Sequence, residues 1–135
     1  MSNASLAQFL INIFETARAD IALVALVPAD KILGHIPQDD SLPYVRIHIS
    51  NSPDWSTKCQ LGFESSLVCD IWSEHHDDGE VLKIADELIR IFSTEMVLDS
   101  GQNVTANHIS TITTIEPDGQ THRASSSFNL KITSN

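Results

Sequence analysis

Near the start of the chain, apolar residues repeat at the spacing of one face of a helix. Ser5 can cap this helix, and Glu15 and Arg18 lie off its apolar stripe. The residues of the stripe are Leu6, Phe9, Leu10, Ile13, Phe14 and Ala17. A second apolar run, Ile21 to Val27, ends at Pro28 and predicts a short helical turn buried under a sheet.

Alternating apolar and polar residues predict strands in the next part of the chain. Lys31 to Ile36 favours a short edge strand that Pro37 ends, and a more regular strand follows Pro43. One face of that strand carries Val45, Ile47 and Ile49. The polar segment from Asn51 to Gln60 is longer than a tight hairpin needs, so it predicts a projecting arm or loop.

The predicted domain is organised around the middle of the chain. This part consists of a strand (Leu61 to Trp72), an acidic loop (Ser73 to Gly79) and an amphipathic helix (Glu80 to Phe92). One strand face is apolar and the other is mixed, and Ser73 or Asp77 can cap the helix. The helical stripe is wide enough to contact both the sheet and the first helix.

The last part of the chain predicts a hairpin. After a connection from Met96 to Asn103, the β-branched runs Val104 to Ile115 and Thr121 to Thr133 flank a Pro-Asp-Gly turn. Their many Ser and Thr residues indicate strands with one solvated or partner-facing side. We therefore predict one domain over residues 1–135 of the α+β class, with a mostly antiparallel, mixed sheet of about four to five strands packed against two main helices.

Charge and composition narrow the classes of partner. Eight basic and 18 acidic residues give a net charge of −10, which disfavours adhesion to nucleic acid or to an anionic membrane. No apolar run approaches the roughly 20 residues of a membrane span, and the first ten residues lack the features of a signal peptide. We therefore expect an intracellular chain whose two cysteines, Cys59 and Cys69, are reduced; a disulfide is the less favoured alternative.

No pattern in the sequence indicates catalysis. His75, His76, Asp77 and Asp78 are the densest group of candidate metal ligands, but adjacent residues do not converge easily on one ion, and a solvated helix start explains them better. The chain has no nucleophile elbow and no phosphate-binding glycine loop. Cys69 lies among apolar strand residues and is predicted to belong to the core. We predict no catalytic residue, no metal and no cofactor.

Three short stretches and a closing strand carry a resemblance to a known family. The stretches are Asp20 to Val27 followed by Ile32 and Pro37-Gln38, then Leu42 to Val45, then Val68 to Trp72 leading to the helix around Ala85; the strand from His122-Arg123 to Ile132 closes the pattern. Together they resemble the tail-completion (tail-terminator, or tail-to-head joining) proteins of long-tailed bacteriophages and prophages. The acidic loop with its two histidines departs from the family pattern.

This resemblance implies a ring of subunits, typically a hexamer, at the head-proximal end of the phage tail tube. Such a ring ends tube polymerisation and joins the tail to the head, so the implied partners are further copies, the major tail tube protein and the head-tail connector or neck protein. DNA would pass through without specific binding, and neither a cofactor nor a membrane is implied. The expected location is the neck region of the virion, after assembly in the host bacterial cytoplasm.

Two other classes of protein also fit the sequence. One is a different phage neck component, either a head-closure protein or a minor tail protein. The other is a small binding module with no connection to phages.

Two polar segments are candidate contact surfaces. The arm contributes Pro53, Asp54, Trp55 and Lys58 as an interface hypothesis, because an aromatic side chain in a polar loop either folds back on the domain or anchors a partner. The loop formed by Glu74, His75, His76, Asp77 and Asp78 is a candidate lumen or contact surface. Excess carboxylates on the lumen would let DNA slide through without sticking.

Overall fold

Three helices and six strands form the part of the chain that the computed structural model describes, which is residues 2–34, 43–51, 62–74, 78–97, 103–117 and 119–133. The helices are α1 (Ser2–Ala19), α2 (Ile21–Val24) and α3 (Gly79–Phe92), and a 3₁₀ turn covers Ala29–Lys31. The strands are β1 (Ile32–Leu33), β2 (Tyr44–Asn51), β3 (Gly62–Ser73), β4 (Met96–Val97), β5 (Asn103–Ile115) and β6 (His122–Thr133).

The strands form one mixed sheet in the order β1-β2-β3-β6-β5-β4. Only the β1–β2 pair is parallel among these strands. The predicted α+β class is confirmed, with six strands rather than four to five. The segment predicted as a connection after α3 contains β4, which pairs through Met96 and Val97 with the start of β5. Two residues are too few to leave a periodic signal in the sequence.

The helices cover one face of the sheet and enclose the core with it. Phe9, Ile13 and Ala17 of α1 are buried, as the predicted apolar stripe requires. On β3 the alternating residues Leu67, Cys69 and Ile71 are fully buried beneath the helices. Helix α3 packs against β3, β5 and β6 and also contacts α1 and α2, which confirms its predicted double contact.

Two side chains fix the turn between the first two helices. The Asp20 carboxylate caps α2 by accepting a hydrogen bond from the Leu23 N–H at 2.9 Å. It also accepts one from Arg90 Nη2 of α3 at 2.7 Å, and this bond is the main reason that the pKa of Asp20 lies below its usual value. The Arg18 guanidinium donates to the Ile32 carbonyl, which joins α1 to the edge strand β1.

The predicted cap of α3 is wrong in part. Ser73 is the last residue of β3, and its hydroxyl donates to the Glu80 carboxylate in the first turn of the helix. The N-cap position is held by Asp78, whose side chain makes no capping hydrogen bond because it faces His122 of β6 instead. The other predicted cap, Asp77, lies outside the described residues.

Cys69 is a buried, unbridged thiol in the middle of β3. Its burial among core residues raises the pKa of the thiol well above the usual range. The prediction that Cys69 belongs to the core is confirmed. Cys59 lies outside the described residues.

Candidate assembly surface

The sheet face that is turned away from the helices, here called the outer face, carries a polar side-chain network. Because side chains alternate along a strand, the register that buries Leu67, Cys69 and Ile71 places Asp70 and Trp72 on the outer face. The sequence predicted this face of β3 to be mixed in polarity, and the structure shows what its polar residues contact.

Asp70 connects three strands. Its carboxylate accepts a hydrogen bond from Arg123 Nη2 of β6 at 3.0 Å and lies 3.1 Å from His48 Nε2 of β2; the Ser125 side chain bonds it as well. The side chain is only 3% exposed. Burial acts to raise the pKa of Asp70, but the hydrogen bonds from Arg123, Ser125 and His48 outweigh it, so the pKa lies below its usual value.

An aromatic pair lies beside this network. The rings of Tyr44 and Trp72 stack with centroids 4.7 Å apart, and both side chains are almost fully buried. The Arg123 guanidinium lies 5.3 Å from the centre of the Trp72 ring, so one arginine contacts both the carboxylate and the aromatic pair. These contacts link β2, β3 and β6 into one continuous platform on the outer face.

Strand β5 differs from its neighbour β6 because three of its large apolar side chains are exposed. Ile109, Ile112 and Ile115 are 63%, 62% and 61% exposed. Ile112 pairs with Ser125 on the outer face, Ile115 pairs with His122 on the helix side, and Ile109 lies at an irregularity in the register. The apolar surface therefore extends along both faces of the strand.

Among the described residues, the far edge of β5 is also open along most of its length. β4 pairs only with Asn103 and Val104. From Thr105 to Ile115 that edge has no partner strand in the described chain, so its backbone N–H and C=O groups are available for pairing. We call residues 105–115 the open edge.

Most of the predicted contact residues lie outside the described chain. These are Pro53, Asp54, Trp55 and Lys58 of the arm and His75, His76 and Asp77 of the acidic loop. At the two ends of the loop, Glu74 is exposed, whereas the Asp78 carboxylate lies 2.7 Å from His122 Nδ1. The C-terminal end of the loop is therefore attached to β6.

The Asp78–His122 pair is part of a polar cluster that includes a serine. Ser73 pairs with His122 in the sheet register, so an acid, an imidazole and a hydroxyl lie close together in the fold. However, Ser73 is fully buried and its hydroxyl donates to Glu80, so it is not placed to attack a substrate. In the described segments, no three His, Cys, Asp or Glu side chains are grouped so that they could hold a metal ion.

Two features of this surface were not predicted from the sequence. One is the contact of Asp70 with Arg123, residues that are 53 positions apart and meet only because β6 pairs with β3. The other is the open edge, for which the uncharged Ser- and Thr-rich composition of β5 was the available signal.

Comparison with known proteins identifies the family. A chain from a structure described as the virion of a native gene transfer agent (GTA) particle has a similar fold, with a TM-score of 0.70 over 90% of this chain and 91% of that chain, at 15% sequence identity. No curated protein matches in sequence. The family model described as "Tail completion protein gp17" matches residues 11–133. The chain belongs to this tail-completion family.

The family match extends from α1 through β6, which confirms the resemblance seen in the short sequence stretches. A tail-completion protein has a structural role in the tail or neck of a phage-like virion. No described helix is long and apolar enough to cross a membrane.

Proposed function

We propose that this tail-completion protein forms a ring, a hexamer by analogy with its family, on the head-proximal end of the tail tube. The ring ends tube polymerisation and joins the tail to the head. The observation that carries this proposal is the family match over residues 11–133. The proposed partners are further copies of the chain, the major tail tube protein and the head-tail connector.

The arrangement of the described residues favours a protein that acts by binding other proteins rather than by catalysis. The Asp70 network and the Tyr44–Trp72 stack stiffen the centre of the outer face, and exposed isoleucines extend along β5. A rigid platform beside an exposed apolar strand is suited to binding other proteins. The proposed activity is assembly, without a chemical reaction.

Addition of the purified protein to polymerising tail tubes tests the proposal. We expect tubes to stop growing at one end, because a bound ring covers the surface to which the next tube subunit would add. Electron microscopy of tube lengths and tube ends measures this effect. Tubes that continue to grow at both ends would contradict the proposed role, and binding to isolated connectors without any effect on tubes would indicate a head-closure protein.

The same assay tests the proposed contact role of the arm. We propose that Trp55, with Pro53, Asp54 and Lys58, anchors the ring to the tube or to the next subunit, as an aromatic residue in a polar segment can do. A Trp55→Ala chain that remains folded should lose its capping activity. If that chain caps tubes as the wild type does, the arm has no such role.

We also propose that the acidic loop, from Glu74 to Asp78, faces the lumen of the ring. Its carboxylates would repel the phosphates of DNA, and the net charge of −10 is consistent with a passage to which DNA does not adhere. A cryo-electron microscopy map of the ring should show these residues on an acidic inner wall. A neutral or basic inner wall would contradict this placement.

A further inference from the structure

We propose that the open edge of β5 is the place where the next copy of this chain docks, by adding the β1–β2 edge of its own sheet. This inference rests on the proposed ring and names the contact that would hold it together. It follows from three observations: the exposure of β5, its charge, and the direction of the strands.

The open edge has the features of a strand that awaits a partner. On the side away from β6, its backbone has no partner strand in the described chain from Thr105 to Ile115, and three isoleucines along it are each more than 60% exposed. Proteins commonly protect such edges with Lys or Pro, or with bulges. The strand contains no Lys and no Pro; it has one irregularity, at Ile109, and beyond it the register with β6 is regular from Ser110 to Ile115.

The charge of β5 favours a second copy as the occupant. Two chains that each carry −10 repel one another over most of their surfaces. All 13 residues of β5 lack a formal charge, so this strand is a place where identical copies can meet without that repulsion. Strand β5 also has no charged side chain that could attract a partner of opposite charge.

The strand directions are compatible with the β1–β2 edge of the next copy as the partner. A closed ring needs two different surfaces on each subunit, and a sheet has two edges. Because β2, β3, β6 and β5 are consecutively antiparallel, β2 and β5 run in opposite directions. If neighbouring subunits are related by rotation about an axis along the strands, β5 of one copy lies antiparallel to β2 of the next.

The edge formed by β1 and β2 is available for this pairing. β1 pairs only with Val45 and Arg46, so Ile47 to Asn51 has no partner on that side within the described residues. This segment, like the open edge, contains no Asp, Glu, Lys or Arg. The two edges are therefore compatible both in strand direction and in charge.

Photo-crosslinking of the full chain identifies the occupant. A photoreactive amino acid is placed at Ile112 on the open edge, and in a control chain at Ile21, which is 89% exposed on α2. Irradiation of the chain with the photoreactive amino acid at position 112, with and without tail tubes, should produce covalent multimers whose crosslinks map to residues 47–51 of another copy. Crosslinks to β5 of another copy, or only to the tube or connector protein, would overturn the inference.

A matched pair of lysine variants gives an independent test. Ile112→Lys and Ile21→Lys both change the net charge from −10 to −9, so a general electrostatic effect would be the same in both chains. Ile112→Lys should raise the protein concentration at which rings form by about tenfold or more, because it buries a charge in the contact, while Ile21→Lys should not. Circular dichroism verifies that both variants are folded.

The outcomes separate this inference from the proposed function. A wild-type chain that forms no rings, with or without tail tubes, contradicts the ring itself. Rings that form equally well from the wild-type and Ile112→Lys chains contradict only the assignment of the open edge.

Discussion

Replacement of Phe128 with alanine is expected to lower the free energy of unfolding by about 3–5 kcal/mol. Phe128 lies in the middle of β6, is 1% exposed and packs edge-on against Phe92 of α3, with ring centroids 4.9 Å apart. It also pairs with Leu67 on one side and His108 on the other. Its removal leaves a cavity where the sheet meets the helix, and urea denaturation of the purified chain measures the loss.

Phe14→Ala is the matched control for this prediction. Phe14 lies on α1, is only partly buried, and has the Arg18 guanidinium 4.9 Å from its ring centre. Neighbouring side chains and water can fill more of the space at this position, so the loss should be clearly smaller than for Phe128. Equal losses for the two variants would show that Phe128 does not have the central packing role described above.

Asp70→Asn is expected to destabilise the fold by about 1–3 kcal/mol at neutral pH, because Arg123 and His48 lose their partner charge. The size of this loss should depend on pH. The pKa of Asp70 in the folded chain lies below its usual value of 3.8, so the stabilisation is fully present above that value and disappears as the pH falls through the lower pKa of the folded state. The difference between wild type and variant should therefore narrow below about pH 4.

Asp86→Asn removes the same unit of charge from an exposed position on α3 and serves as the control. Thermal or urea denaturation of both variants from neutral to acidic pH measures the effect. A stability difference between the wild-type and Asp70→Asn chains that stays constant across this range would mean that the Asp70 carboxylate does not stabilise the fold through its charge.

The sequence predicted those parts of the fold that depend on local periodicity. Phe9, Ile13 and Ala17 recur at helical spacing, and all three are buried as expected. Val45 and Ile47 likewise alternate along the predicted apolar face of β2, and both are buried. These patterns are readable because one face of each element contacts the core and the other contacts solvent.

The pairing of distant elements could not be read in this way. Nothing local to Asp70 indicates that β6, rather than β5, lies beside β3, since both later strands have similar alternation. The short strand β4 and the side-chain contacts of Asp78 depend on that arrangement too. The open edge of β5 therefore became visible only when the strand order was known.

The strand order also determines when the sheet can be completed during synthesis. β6, the last strand of the described chain, lies between β3 and β5, and α3, β4 and β5 are all made before it. Until β6 has been synthesised, one side of β3 lacks its partner and Asp70 lacks Arg123. Pairing across so long a stretch of chain is slow to nucleate, so the side of β3 that β6 covers has no native partner until β6 has been made.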